Sequence, residues 1–370
     1  MRRTIIFGIA FAFTFNQAFA ETTFSEAFSQ YNQAIENQDH TAAVEHALVA
    51  LSLGQQKFGQ NSENAINLQY NLGLAYLQNR QLDEGFDTLA DVANQYSETK
   101  GEVSIERFNA LLDQLSSAKY LMHKGYQKAP KQYTLLVETL EETLDKTQVL
   151  SDVQQGQRLY LFSKILYERP LSSWFFDVAL EMSEKAENLL VQTLGNEDAK
   201  TVEVQFRIAR FKQAQRKRTE AAEYYEKIVN TFGHEMETSH PLELASRAAL
   251  VDLYERLGES DRATEHCVAI GHLTPWQSDI EPTPLYRLEP MYPMEEARKN
   301  KQGNVVLSFD IDTFGFVKNI KVISKEGSYG FAKQARRALQ KWRYAPKIVD
   351  GKPEVAKNMR VQLNFKLNDA

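Results

Sequence analysis

The chain has 370 residues, 43% hydrophobic and 25% charged, which is ordinary for globular protein and long enough for more than one buried core. Its single cysteine, Cys267, excludes an internal disulfide and reads as a buried small hydrophobe. The acidic total, net charge −6, together with the export signal below, argues against a nucleic-acid partner.

In chain order, Arg2 and Arg3 precede an apolar run from Ile5 to Phe15, and Ala18-x-Ala20 offers a small-residue cleavage site before Glu21. The run falls short of the roughly 18 to 20 residues a spanning helix needs. It therefore reads as a signal peptide, residues 1–20, cut after Ala20. No cysteine stands at that site, which argues against a lipid anchor.

Residues 21–275 read as a helical repeat array. Small residues recur 42 apart, at Ala43 and Gly85 and again at Ala179, Ala221 and Ala263. Seven positions further on stand Ala50 and Val92, then Ala186, Ile228 and Ile270. Leu72-Gly73-x-x-Tyr76 and Leu250-x-x-x-Tyr254 mark the first helices of two pairs. Such a pattern resembles the tetratricopeptide family, in which a small residue lets two antiparallel helices pack closely. Gln69 stands in the family's Trp slot, the closing proline is missing, and the 42-residue period is similar to the longer kinesin-light-chain variety. About six pairs are expected, with residues 102–149 off register and a helix ending at Pro170. An all-α region without superhelical order is the alternative.

No residue in the array suggests catalysis. His234-Glu235 with His240 is not a zinc pair, because histidines six apart cannot share one helix face. Arg207, Arg210, Lys212, Arg216, Lys217 and Arg218 read as a helix's outer face and its exit. Trp276 to Glu289, with Pro282 and Pro284, reads as a linker. Charge changes sign there: residues from Trp276 onward carry a net +6 and Glu21 to Pro275 a net −14. The basic balance reads either as long-range attraction to anionic envelope surfaces or acidic receptor faces, or simply as a solvated helix face rich in Lys and Arg.

Residues 290–370 read as a small α+β module. After a short helix, Met294 to Asn300, come strands Val305 to Asp312 and Phe316 to Ser324, joined at Phe314-Gly315. Phe331, Ala335, Ala338, Leu339 and Trp342 then fall at helical spacing opposite Lys333, Arg336, Arg337 and Lys341. Asp350-Gly351 signals a turn. In the closing strand, Lys357 to Leu367, Met359, Val361, Leu363, Phe365 and Leu367 alternate with Asn358, Arg360, Gln362, Asn364 and Lys366. One sheet face is core and the other wet, and the helix stripe covers the core face. Asp310-x-Asp312 resembles the start of a calcium loop, but the other ligands are missing and the hairpin accounts for both.

Pro290-x-Tyr292-Pro293 followed by Ala297, Gly303-x-Val305-x-Leu307-x-Phe309, Gly315-x-Val317, Phe331, Trp342-Arg343-Tyr344-x-Pro346 and Phe365-x-Leu367 together resemble the carboxy-terminal domain of TonB. The resemblance implies a periplasmic domain of a Gram-negative bacterium that grips TonB-dependent outer-membrane receptors by a short extended segment added to its sheet. It implies that the closing strand is the docking edge, with Arg360, Gln362, Asn364 and Lys366 facing the receptor segment and Tyr292 and Pro293 close by. Family members usually carry a membrane anchor and a proline-rich spacer, and here a helical array precedes the module.

Two functions follow from the resemblance. In the first, the protein is a component of energy-coupled transport, its array docking the inner-membrane proton-channel complex or another envelope protein; any membrane association would then run through partners. In the second, it is an envelope scaffold whose sheet binds partners or cell-wall material without transducing energy. No enzyme, cofactor or metal site is expected.

Overall fold

A computed structural model describes residues 23–123, 129–146, 151–167, 173–232, 240–274 and 282–367. They fall in two compact units, Met1–Leu150 and Ser151–Ala370. Residues 1–20, Pro170, His234, Glu235 and Trp276 lie outside the described residues. No described helix is long and apolar enough to cross a membrane.

The first unit holds three helical pairs: α1 (Phe24–Glu36) with α2 (His40–Phe58), α3 (Glu63–Gln78) with α4 (Leu82–Lys100), and α5 (Ile105–His123) with α6 (Ala129–Lys146). Three more pairs open the second unit: α7 (Asp152–Tyr167) with α8 (Ser173–Leu194), α9 (Ala199–Ala214) with α10 (Arg218–Phe232), and α11 (Pro241–Leu257) with α12 (Ser260–Leu273). Within each unit every helix packs on the one before it, the nearest-neighbour stacking of a solenoid. Capping sets many of the starts. Thr23 makes a capping box with Glu26, and Asp39, Ser62 and Asp198 cap α2, α3 and α9.

The 42-residue period is written into the backbone. Gln38 and Arg80, then Arg216 and Gly258, stand 42 apart with φ of 57°, 63°, 61° and 82°, each turning the chain into the second helix of its pair. Ala43, Gly85, Ala179, Ala221 and Ala263 are all buried on those second helices. From Gly85 to Ala179 the distance is 94 residues, and from Gly101 to Gly195, both left-handed and closing a second helix, it is again 94. Two periods plus ten residues separate each couple. Pairs α5/α6 and α7/α8 absorb the ten, which is why residues 102–149 lose the register although α5 and α6 form within them. Ala221 is fully buried, so Ala221→Leu is expected to cost on the order of 1–3 kcal/mol, read as a lower melting temperature.

Part of the basic run is not an outer face. The guanidinium of Arg207 lies 5.7 Å from the ring centre of Tyr160 and 4.9 Å from that of Tyr167. Lys212 bonds Glu184 at 2.9 Å, half-buried. Only Arg210, Arg216, Lys217 and Arg218 are exposed. In the last pairs Glu226 collects Tyr254, Arg262 and His266, and chiefly the His266 bond holds its carboxyl down at about 2.

After α12 the second unit continues into a two-layer module. It comprises α13 (Met294–Arg298), β1 (Gly303–Ile311), β2 (Val317–Glu326), α14 (Tyr329–Leu339), β3 (Lys347–Val349), β4 (Lys352–Glu354) and β5 (Ala356–Phe365). The main sheet is antiparallel with order β2-β1-β5. Val305, Leu307, Phe309 and Ile311 of β1 meet Phe331, Ala335 and Leu339 of α14 in one core. The α14 helix stops three residues before Trp342. That indole is still buried, donating from Nε1 to the Leu288 carbonyl at 2.9 Å. β3 and β4 form a separate hairpin whose turn is Asp350-Gly351, φ 48° and 73°, the conformation of a primed turn.

Candidate strand-addition edge

The central strand β1 pairs on both sides, so each outer strand keeps one edge of backbone donors and acceptors. On β5 the pairing with β1 runs from Ala356 opposite Ile311 to Phe365 opposite Gly303. Its inward residues Leu363 and Phe365 are 2% exposed, while Met359 and Val361 are half-buried, so the strand is held by its side chains as well as its ladder. Arg360, Gln362, Asn364 and Lys366 all lie exposed beside the open edge. Gln362 Nε2 donates to Asn364 Oδ1 at 3.0 Å, and neither Arg360 nor Lys366 has an ion partner among the described residues.

One bulge shapes this edge, and two more lie on the β2 side of the sheet. Between Phe309 and Ile311 the register with β5 slips, and Asn358, φ 61°, takes up the extra residue. Across β1, Asn319 does the same on β2 at φ 52°. Asparagine is among the few side chains that tolerate this left-handed geometry. Asp310 ties the bulges at Asn358 and Asn319: it accepts the Asn358 N–H at 2.9 Å and the Asn319 amide at 2.8 Å. The Asn319 bond first, and then the Asn358 backbone, holds its carboxyl below the usual range. Asp312 accepts the N–H groups of Phe314 and Phe316 at 3.0 and 2.9 Å. Both aspartates thus serve backbone turns.

Tyr292 and Pro293 take different places. Tyr292 lies edge-on to Phe365, ring centres 5.9 Å apart, and to Phe331 at 5.5 Å, with its hydroxyl donating to the Lys301 carbonyl. It therefore stands at the carboxy-terminal end of β5. Pro293 opens α13 and lies against Gly330 at the start of α14.

Sequence reasoning assigned no role to Arg343. Its side chain is 2% exposed and reaches back to the last helical pair, pairing through Nη1 with Glu255 and donating to Ser260 Oγ at 3.2 Å. Its Nη2 donates to Thr264 Oγ1 at 2.8 Å and to the Phe314 carbonyl at 3.1 Å, and its guanidinium covers the Phe316 ring at 3.7 Å. The Arg343 backbone also bonds Leu285 and Tyr286, and Tyr286 is buried in the core of the α9–α12 pairs. So the described part of the linker, from Pro282, is packed into this junction. Cys267 lies beside the Phe314-Gly315 turn, where burial pushes its thiol up to about 12 and keeps it neutral.

Geometry thus defines a small α+β domain with an open polar sheet edge, carried on a tetratricopeptide-like array. Residues 289–367 match the family described as Gram-negative bacterial TonB protein C-terminal. Protein TonB of Salmonella typhimurium is 31% identical over 87 residues, covering 24% of this chain and 34% of that protein. The chain therefore spans about a third of the length of the curated relatives it matches. Among solved structures, the Pseudomonas aeruginosa TonB CTD is 27% identical, covering 25% of this chain and 93% of that one, with a TM-score of 0.23. The Podosopora anserina putative kinesin light chain TPR-like repeats are 19% identical, covering 66% and 92%, with a TM-score of 0.33.

Proposed function

We propose that the protein is a periplasmic component of energy-coupled transport across the outer membrane, whose carboxy-terminal module takes an extended receptor segment as an added strand on β5. The observation that carries this reading is the β5 edge itself: an outer strand fixed inward by Leu363 and Phe365, with its outward side chains polar and exposed. Main-chain hydrogen bonds would supply affinity, and Arg360, Gln362, Asn364 and Lys366 would choose the segment. The match to the TonB domain supports the receptor as the source of that segment. Export with cleavage after Ala20 belongs to the same reading, supported by Arg2, Arg3 and the Ala18-x-Ala20 site.

The helical pairs serve as the docking array for a second envelope protein, including an inner-membrane proton-channel complex. Because Arg343 fixes the module onto α11 and α12, a load applied at β5 passes into the last pair with no free joint between them.

Proline at Gln362 or Asn364 removes a backbone donor from β5 without deleting a core side chain. Each variant should fold, by circular dichroism, and at least one should bind a receptor-derived peptide about tenfold or more weakly, the equivalent of one or two lost backbone hydrogen bonds. Full affinity in both would remove β5 as the docking edge.

A further inference from the structure

The exposed side of α14 carries Lys333 and Arg337 four residues apart, with Arg336 beside them and Lys341 exposed in the turn that follows the helix. The helix spends its apolar stripe on the core, so the outward face of Lys333, Arg336 and Arg337 is charged. Alongside runs the segment from Leu288 to Pro293, and between segment and helix lies a groove of about 610 Å³ that includes Met291, Gln334, Arg337 and Lys341. Met291 is 75% exposed and gives the groove an adaptable apolar wall. The one carboxylate lining the groove, Glu289, is engaged by Arg287 at 2.9 Å.

In the first unit, α4 carries the opposite pattern. Asp83, Asp87 and Asp91 are exposed four residues apart, with Glu84 beside them. Like Lys333, Arg336, Arg337 and Lys341, these carboxylates have no ion partner among the described residues. Each step of four residues rises about 6 Å along a helix, so Lys333 and Arg337 on α14 match the spacing of neighbouring aspartates on α4, and Lys341 extends the basic row into the turn. Rows at this spacing are the ridges by which helices interdigitate.

We propose that the α14 face is a docking surface for α4 of a second copy of this chain. Lys333, Arg337 and Lys341 pair with Asp83, Asp87 and Asp91, and Arg336 lies near Glu84. The contact joins two different surfaces, so it is heterologous and builds a ring or an open chain of copies. It uses the helix layer of the module, on the face away from the polar side of the sheet.

The test is sedimentation velocity of the full chain over a concentration series at low and high salt. Self-association at low salt that disappears at high salt is expected, since surface pairs of this kind are screened. One variant carries Lys333→Glu, Arg337→Glu and Lys341→Glu, and another Asp83→Lys, Asp87→Lys and Asp91→Lys. Each alone should associate about tenfold or more weakly, three exposed pairs each contributing modestly. A mixture of the two should associate again, because each then meets a complementary row. All six positions are exposed, and circular dichroism checks that both variants fold. A wild-type chain that stays monomeric at low salt overturns the proposal. So does undiminished association of either variant, or failure of the mixture to recover.

Discussion

Arg343→Ala should destabilise the Ser151–Ala370 unit by about 3–5 kcal/mol, the usual cost of removing one partner from a buried ion pair. Glu255, whose side chain is 15% exposed with Arg343 in place, would keep only Ser260 as a bond partner, and Thr264 and the Phe314 carbonyl would each lose a donor. The penalty is larger than for any surface pair because the guanidinium is the bond centre of the junction. Replacing Glu255 and Arg343 together by methionine should recover part of the loss, since no unpaired charge then remains buried. Urea unfolding measures both. A loss below about 1 kcal/mol for Arg343→Ala, the range of an exposed pair, would contradict the rigid junction.

Gly315→Ala should cost on the order of 3 kcal/mol. Gly315 has φ 83°, where an L side chain costs about 1–2 kcal/mol, and a Cβ there would lie 2.0 Å from the Tyr344 carbonyl oxygen. That oxygen is backbone and cannot step aside, because the Tyr344 N–H donates to the Gly315 carbonyl at 3.0 Å. Gly351→Ala is the control: φ is 73° there too, but a Cβ meets nothing within 4 Å. Thermal melts should separate the two, with only the conformational cost at Gly351. Equal losses would mean that the close approach to Tyr344 is not tight.

Much of the module was legible because its elements are strongly periodic. Strict alternation from Met359 to Leu367 could describe only a half-buried strand, and the stripe Phe331, Ala335, Leu339 only an amphipathic helix. β3 and β4 were not legible: three residues each, half-buried or exposed, they carry no alternation to read. Neither were the bulges at Asn319 and Asn358, since one extra residue leaves the flanking pattern intact and asparagine is common in polar strand faces.

Arg343 hid for a different reason. Its partner Glu255 is 88 residues away, and no local pattern reports a contact between a module and the helix pair before it. Leu285, Tyr286 and Leu288 did carry a signal, because three apolar residues among four are poorly suited to a free linker. Reading the prolines as punctuation outweighed them. In the array, the period was visible wherever it repeats without insertion, and the ten extra residues between Gly85 and Ala179 broke it.

The central claim is that β5 accepts an extended segment. Amide hydrogen exchange by NMR on the full chain, with and without a receptor-derived peptide, tests it most directly. New protection of alternate β5 amides between Asn358 and Lys366, with those paired to β1 unchanged, is the predicted result. Protection confined to β2 or to the α14 face, or none at saturating peptide, would contradict it.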